Sequence, residues 1–153
     1  MQLAQLNISV WKIDDQSEAA RPFVDNVARM NALAERSPGF VWRLLDEGRD
    51  AKGHNAIGGP ETLMTLSVWQ SAAHLEAFAF NTVHRRIYER KAEWFAQLQS
   101  HHLVMWHVPD GHRPTVAEAR QRLDHLNAYG STDFAFDWSH LPEATLWQHK
   151  RQH

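Results

Sequence analysis

Three side chains could act together chemically if the fold brought them into one place. Asn7 offers an amide that donates and accepts hydrogen bonds, Trp69 an indole N–H donor and His84 an imidazole. An imidazole can also move a proton near neutral pH or bind a metal such as haem iron. Each residue has a structural interpretation as well, because buried amides, indoles and histidines commonly satisfy their hydrogen bonds within a core. The choice between these interpretations depends on the elements that position the three residues.

His84 lies in the stretch AFNTVHRRIYERKAEWF, residues 79 to 95. Phe80, His84 and Tyr88 recur at intervals of one helical turn, which predicts a helix with His84 on its inner, aromatic face. This helix is expected to begin near residue 71, to kink near residue 81 and to end near residue 98. The periodicity alone favours a core histidine over a functional one.

Alternating apolar residues predict four strands, over residues 3–10, 40–47, 61–70 and 101–109. Helices are expected over 22–36, 71–98 and 115–129, the last of them peripheral, and an exposed hairpin loop over 47–60. Thr115 and Glu118 have the spacing of a capping box, and Gly130 is a helix stop. The order βαββαβ plus a C-terminal helix predicts an α+β, ferredoxin-like fold with a four-stranded antiparallel sheet.

The domain is expected to span residues 1–130, with residues 131–153 as a C-terminal tail that docks either on the domain or on a neighbour. Two helices on one face of the sheet would leave the apolar residues of the other face in water, and an exposed patch of that size usually marks an interface. Pairing two sheets across a two-fold axis removes the patch. The sequence therefore predicts a homodimer through the sheet faces, a dimeric α/β barrel.

Composition excludes several classes of protein. Sixteen basic and eighteen acidic residues give a formal charge of −2, so nucleic acid and acidic membranes are not expected partners. There is no cysteine, which excludes disulfides and thiolate metal sites. The sequence has no run of eighteen apolar residues, which a membrane span would need, and a cytoplasmic location is expected. His101 and His102 are adjacent on a strand and face opposite ways, so no dedicated zinc site is expected.

Several segments together resemble a bacterial family of dimeric α/β-barrel domains without an assigned function. They are LAQLNI, NALAERSPGFVWRL, LSVWQSAAHLEAF, VHRRIYERKAEWF, LVMWHVPDGHRPTVAEARQRLDHL and DFAF, which together span residues 3 to 136. The family is similar in architecture to the antibiotic-biosynthesis monooxygenases and the haem-degrading monooxygenases. In the haem-degrading group, an Asn on the first strand, a Trp ending the third and a His on the next helix form the catalytic set.

The resemblance implies those catalytic roles for Asn7, Trp69 and His84, with haem as a cofactor bound by His84. The fifteen residues from Trp69 to His84 exceed the spacing in that pattern. The predicted pocket is also lined by five further residues: Arg43, Phe80, Tyr88, Trp106 and His112. Arg43 has an alternative as a surface ion pair, and His112 as part of a turn that positions the third helix.

Two functions follow as hypotheses. The first is a monooxygenase-like oxidoreductase that binds a hydrophobic, aromatic molecule between the sheet and the second helix. In it, Asn7 and Trp69 would orient the substrate or an oxygen intermediate, and His84 would act as acid, base or axial ligand. The second is a non-catalytic module that uses the same pocket to hold a small molecule or haem. A pocket filled by aromatic side chains remains a third interpretation.

Overall fold

Four antiparallel strands form one sheet in a computed structural model that describes residues 1–45, 62–80 and 82–142, without the side chains of residues 82–84 and 88. The strands are β1 (Gln2–Val10), β2 (Phe40–Arg43), β3 (Thr62–Trp69) and β4 (Leu103–Val108). Their order across the sheet is β2-β3-β1-β4. This order confirms the predicted ferredoxin-like fold, with β1 and β3 in the centre.

The alternation of residues along β1 gives the sheet two distinct faces. Leu6 lies opposite Leu66 on β3 and Val104 on β4, and their even-numbered neighbours share that side. We refer to this side as the even face. Leu3 lies opposite Trp69, and the odd-numbered residues of the three strands form the odd face.

Six α-helices surround the sheet in the described part of the chain. They are α1 (Arg21–Val24), α2 (Val27–Arg36), α3 (Ala72–Ala79), α4 (Thr82–Glu89), α5 (Lys91–Trp94) and α6 (Val116–Tyr129). The hydroxyl of Ser71 accepts a hydrogen bond from the backbone N–H of His74 and begins α3. The Thr115 hydroxyl accepts from the Glu118 N–H in the same way, and Gly130, at a φ of 78°, ends α6 as predicted.

Several boundaries differ from the sequence-based expectations. β2 ends at Arg43, four residues before the predicted end, and the first predicted helix is divided into α1 and α2. The long second helix is divided into α3, α4 and α5, and it ends at Trp94 instead of near residue 98. The predicted hairpin loop, residues 47–60, lies outside the described residues.

The third predicted helix, α6, is not peripheral as expected, because it packs on the even face. Ala119, Leu123 and Leu126 of α6 are buried in one cluster with Leu6 and Trp106 of the sheet. An amphipathic helix that brings three apolar residues to an apolar sheet face buries that face within one chain. The exposed face from which the homodimer was predicted is therefore largely covered by the chain itself.

Residues 131–142 of the predicted tail dock on the chain's own sheet. The backbone N–H of Met105 donates to the Phe136 carbonyl at 2.8 Å, and the Phe136 N–H donates back to Met105 at 2.9 Å. Phe136 and Leu141 are buried in a cluster with Leu3 and Trp69. This segment thus covers the β4 edge, which would otherwise offer unpaired backbone groups. No helix in the described ranges is long and apolar enough to cross a membrane.

Candidate functional site

One end of the odd face is closed by an aromatic cluster around Trp69. The Trp69 ring stacks on Phe78 of α3 with 5.2 Å between centroids, and it meets Phe40 of β2 edge-on at 5.5 Å. Only 1% of Trp69 is exposed. We call these three residues the Trp69 cluster. They fill the space between α3 and the sheet, so the indole here is packed as a core residue.

A second aromatic cluster lies beyond the other end of β1. Trp11 contacts Phe95 at a centroid distance of 4.5 Å, and Phe23 packs against Trp11, Trp94 and Phe95. The Trp94 indole is fully buried and donates to the backbone carbonyl of Ala19 at 2.9 Å. We call Trp11, Phe23, Trp94 and Phe95 the Trp11 cluster. It joins α1 and α5 to this end of the sheet.

Between the two clusters, the odd face is polar. The side chains there are Gln5 and Asn7 of β1 with Ser67 and Thr65 of β3, a set that we call the polar strip. Gln5 and Ser67 are buried, Asn7 is half-buried and Thr65 is exposed. The described part of β2 pairs with β3 only from Trp69 to Ser67, so at Thr65 the described neighbour of β3 is β1 alone. A row of polar side chains between two buried aromatic clusters fits a ligand site over this face.

Helix α4 connects the two aromatic clusters. It follows α3, which carries Phe78 of the Trp69 cluster, and precedes α5, which carries Trp94 of the Trp11 cluster. Its eight residues span about 12 Å and lie between the two clusters along the chain. His84 and Tyr88 belong to α4, but their side chains lie outside the described residues.

Asn7 and Trp69 share the odd face without meeting. Trp69 lies opposite Leu3 and Asn7 lies opposite Thr65, so the two are four residues apart along the sheet, about 13 Å. Within the described residues the Asn7 amide makes no hydrogen bond, whereas the Trp69 indole N–H donates to the Ser67 hydroxyl at 3.0 Å. The structure thus leaves Asn7 available to a ligand and commits Trp69 to the interior.

The residues around Trp69 do not fit a haem group. A macrocycle that contacts Trp69 would need a free face of the indole, but this ring is buried between Phe78 and Phe40 and its donor is used by Ser67. Asn7 and Trp69 are therefore not assembled around one ligand position, and the side chain of His84 lies outside the described residues. No catalytic step through haem follows from this arrangement.

Two of the predicted pocket residues are engaged elsewhere on the odd side of the sheet. The Arg43 guanidinium donates through Nε to the Glu35 carboxylate of α2 at 2.7 Å. The Phe80 ring, at the end of α3, packs against Trp138 of the C-terminal segment with centroids 5.9 Å apart. The charge of Arg43 is thus neutralised by Glu35. Phe80, where α3 ends, contacts the docked C-terminal segment.

Trp106 and His112 come together, but on the even side of the sheet. The Trp106 indole N–H donates to one oxygen of the Glu118 carboxylate at 2.9 Å, and the His112 Nε2 lies 2.8 Å from the other oxygen. Glu118 is also capped through its backbone by Thr115. These contacts fix the turn before α6 against β4, which agrees with the structural alternative for His112 and separates both residues from the polar strip.

Sequence reasoning missed Gln5, Thr65 and Ser67. Their positions alternate with apolar residues in β1 and β3, so they share a face with Asn7 and Trp69, and that shared parity was the signal for them. It also missed His102, a titratable residue directly before β4, whose pKa is shifted. Burial, with smaller effects from Lys91 and His101, lowers the pKa of His102 to about 4, so its imidazole is neutral at pH 7.

A depression of about 320 Å³ lies between α3 and the turn before β2, lined by Ser37, Pro38, Ala73, His74, Ala77 and Phe78. It contains none of the predicted site residues. Across the described ranges, no group of three or more His, Asp or Glu side chains could hold a metal ion. The polar strip thus remains the candidate site.

The model of a family described as a domain of unknown function, DUF3291, matches residues 2–152 of the chain. No protein of curated function matches it. The chain is similar to the solved structure of an assigned antibiotic biosynthesis monooxygenase from Chloroflexus aurantiacus J-10-fl. The two share 16% sequence identity with a TM-score of 0.46, over 74% of this chain and 98% of that one. A similarity of this size does not extend to function.

Proposed function

The chain belongs to the DUF3291 family, whose description assigns no activity, and we propose that it binds a small, largely apolar molecule over the polar strip. The observation that carries this proposal is the row of polar side chains, with Asn7 half-buried and Thr65 exposed, between the two aromatic clusters of the odd face. At both ends of the same face, aromatic residues are buried. A concave, mostly apolar site with a few polar groups is the usual form of a small-molecule site.

The position of Asn7 supports the same proposal. Its amide is half-buried and lies opposite Thr65, and within the described residues it has no hydrogen-bond partner. Buried polar groups are nearly always hydrogen-bonded, so a partly buried free amide fits a ligand or water partner. Helix α4, which carries His84 and Tyr88, would form the wall of the site that faces this amide.

Binding is tested by titrating the ¹⁵N-labelled protein with 2-naphthol and following its backbone amide signals. The proposal expects the largest shifts at Asn7, Thr65 and their neighbours, with small shifts on α6 at the opposite side of the sheet. Asn7→Ala should weaken the binding. Shifts confined to α6, or no saturable shift up to millimolar naphthol, would overturn the proposal.

A second candidate function, oxygenation without a cofactor, is favoured by the free amide of Asn7. An amide N–H can hold a substrate carbonyl or a developing oxyanion beside molecular oxygen. A reduced aromatic such as anthrone would be converted at its CH₂ group to a carbonyl, with O₂ supplying one oxygen to the product and one to water. Oxygen uptake that is lost in Asn7→Ala would support this function, and uptake equal to that of buffer would exclude it for this substrate.

Haem binding is tested separately with haemin. Because Trp69 is packed and its donor is used, we expect the Soret band of added haemin to stay at its position in buffer. A red shift that disappears in His84→Ala would contradict this expectation and restore the axial-ligand role that the resemblance implies.

The homodimer is also part of this proposal, although α6 covers much of the even face. Ile8, Trp42 and Met64 remain half-buried on that face, and Leu44, next to them, is 36% exposed. This apolar strip beyond α6 is where a second copy would pack. Light scattering after size exclusion should give twice the chain mass of 17.7 kDa, and Leu44→Glu should shift the protein towards monomer.

A further inference from the structure

We infer that the ligand of the polar strip is an uncharged, flat molecule with oxygen atoms along one edge, and that Gln5 selects for it. This inference rests on the proposed binding function and adds the ligand class and the residue that sets it. Gln5 was not among the residues predicted to form a site. Its position follows from a buried chain of hydrogen bonds that links the Trp69 cluster to the open part of the odd face.

Hydrogen bonds to β3 hold the Gln5 amide in place. Its Nε2 donates to the Ser67 hydroxyl oxygen at 2.8 Å, and the same oxygen accepts the Trp69 indole N–H at 3.0 Å. A second, longer contact joins Gln5 Nε2 to the Thr65 hydroxyl oxygen at 3.4 Å. An indole can only donate, so it occupies the Ser67 oxygen and fixes this serine. Gln5 therefore starts from a preorganised position instead of a mobile one.

The other half of the Gln5 amide is not used within the described residues. Its side-chain oxygen makes no hydrogen bond there, although the residue is only 7% exposed. This oxygen is not among the fully buried side-chain atoms that lack a partner in the described part of the chain, so it keeps contact with solvent. A ligand hydroxyl that donates to this oxygen would replace that contact, whereas a purely apolar ligand would remove the water and leave the acceptor unpaired.

Asn7 carries a second side-chain amide, two positions further along β1 than Gln5. Residues i and i+2 of a strand point to the same side and lie about 7 Å apart. Gln5 and Asn7 thus present two amides in a row, with the Thr65 hydroxyl across the strand from Asn7. This row matches hydroxyl or carbonyl oxygens placed along one edge of a ring system. The aromatic clusters at both ends favour a flat molecule.

The charges around the strip favour a neutral ligand. The cation closest in register is Arg43, opposite Ser67, and its guanidinium is bound to Glu35 at 2.7 Å. Among the described odd-face residues of β1 and β3, none is charged. An anion bound there would lose hydration without gaining a counter-ion from these two strands, and burying an unpaired charge is costly.

The test compares two probes of one shape, 2-naphthol and 2-naphthoate, at pH 7 by NMR titration of the ¹⁵N-labelled protein. We expect 2-naphthol to bind at least about five-fold more tightly than 2-naphthoate. The side-chain NH₂ signals of Gln5 should shift with 2-naphthol. In Gln5→Leu, which keeps the volume and removes the amide, the two affinities should differ by less than about two-fold. Gln70→Leu, at an exposed position after β3, is the matched control and should keep the wild-type preference.

The outcomes separate the inference from the binding proposal. If neither probe binds saturably, the proposed function itself is wrong. If both bind at the strip with equal affinity, or if Gln5→Leu keeps the preference, the proposed function stands and the role of Gln5 is overturned. The Gln5 side-chain signals are read in the wild-type protein, so the test remains decisive even if Gln5→Leu fails to fold.

Discussion

The even face of the sheet carries buried apolar side chains of β1, β3 and β4 in one cluster with α6, whereas the odd face carries four polar residues between two aromatic clusters. Both faces are built from the same strands, so one residue of β1 serves packing and the next serves the polar strip. Leu6 is fully buried under α6, and its neighbour Asn7 is half-buried with a free amide. Packing alone does not explain the polar residues of a face that aromatic clusters cover at both ends.

The cover over each face differs in the same way. On the even face, α6 is a continuous helix of fourteen residues. On the odd face, the chain from residue 72 to residue 94 is divided into α3, α4 and α5. The two ends of this divided cover, α3 and α5, pack through Phe78 and Trp94. The polar strip lies between these two ends. The comparison assigns stability mainly to the even face and ligand contact to the middle of the odd face.

The largest effect should come from the even face. Leu126 of α6 is fully buried in the cluster with Leu6. Leu126→Ala should lower the free energy of unfolding by about 3 kcal/mol, because it removes buried methyl groups and leaves a cavity. Urea denaturation followed by circular dichroism measures this loss. Thr65→Ala on the odd face is the matched comparison and should change the free energy of unfolding by less than about 0.5 kcal/mol. Equal losses at the two sites would break the distinction between the faces.

The fold could be predicted from the sequence because its signals are local. Alternation in β1 and β3, the helix start near residue 71, the Thr115 cap and the Gly130 stop each depend on a few neighbouring residues, and all are found in the structure. The place of α6 was not predictable in this way. Its apolar residues show that one side is buried, but they do not show which surface it is buried against.

The candidate site was only partly predictable for a similar reason. Parity along the strands placed Asn7 and Trp69 on one face correctly. Parity does not give distance along the sheet, so it did not show that the register puts the two residues four positions apart. Trp106 was assigned to the same pocket although its even-numbered position places it on the other face, where Glu118 binds its indole.

The next largest effect is a dependence of stability on pH through His102. Burial, with smaller effects from Lys91 and His101, lowers the pKa of the folded protein's His102 from 6.5 to about 4. The unfolded chain therefore takes up this proton first as the pH falls, so His102 makes stability decline between about pH 6.5 and pH 4. We expect a loss of about 2 kcal/mol over this range, given about 1.4 kcal/mol for each pH unit and some remaining contact of the ring with solvent. His102→Phe should flatten the curve in urea denaturation, and His101→Phe should leave most of the slope. An unchanged slope in His102→Phe would contradict the assignment.

A smaller effect is expected from the hydrogen bonds beneath the polar strip. Ser67→Ala removes the oxygen that accepts from both Gln5 and Trp69, and it leaves the buried Trp69 N–H without a partner and Gln5 with only its longer contact to Thr65. The cost should be about 1–2 kcal/mol in the free energy of unfolding. Ser9→Ala, at an odd-face position of β1 near its end, is the control and should cost less than about 0.5 kcal/mol. A neutral Ser67→Ala would show that the buried link from Trp69 to Gln5 does not constrain the odd face.

The smallest effect on stability should accompany the clearest effect on binding. The Asn7 amide has no hydrogen-bond partner among the described residues, so Asn7→Ala removes no internal bond and should change the free energy of unfolding by less than about 0.5 kcal/mol. The same change should weaken 2-naphthol binding by about five-fold, since one neutral hydrogen bond contributes about 1 kcal/mol. NMR titration measures the affinity and urea denaturation the stability, with Gln70→Ala as the control for both. If Asn7→Ala instead lowered stability by more than 1 kcal/mol and left binding unchanged, the middle of the odd face would serve packing, as the even face does.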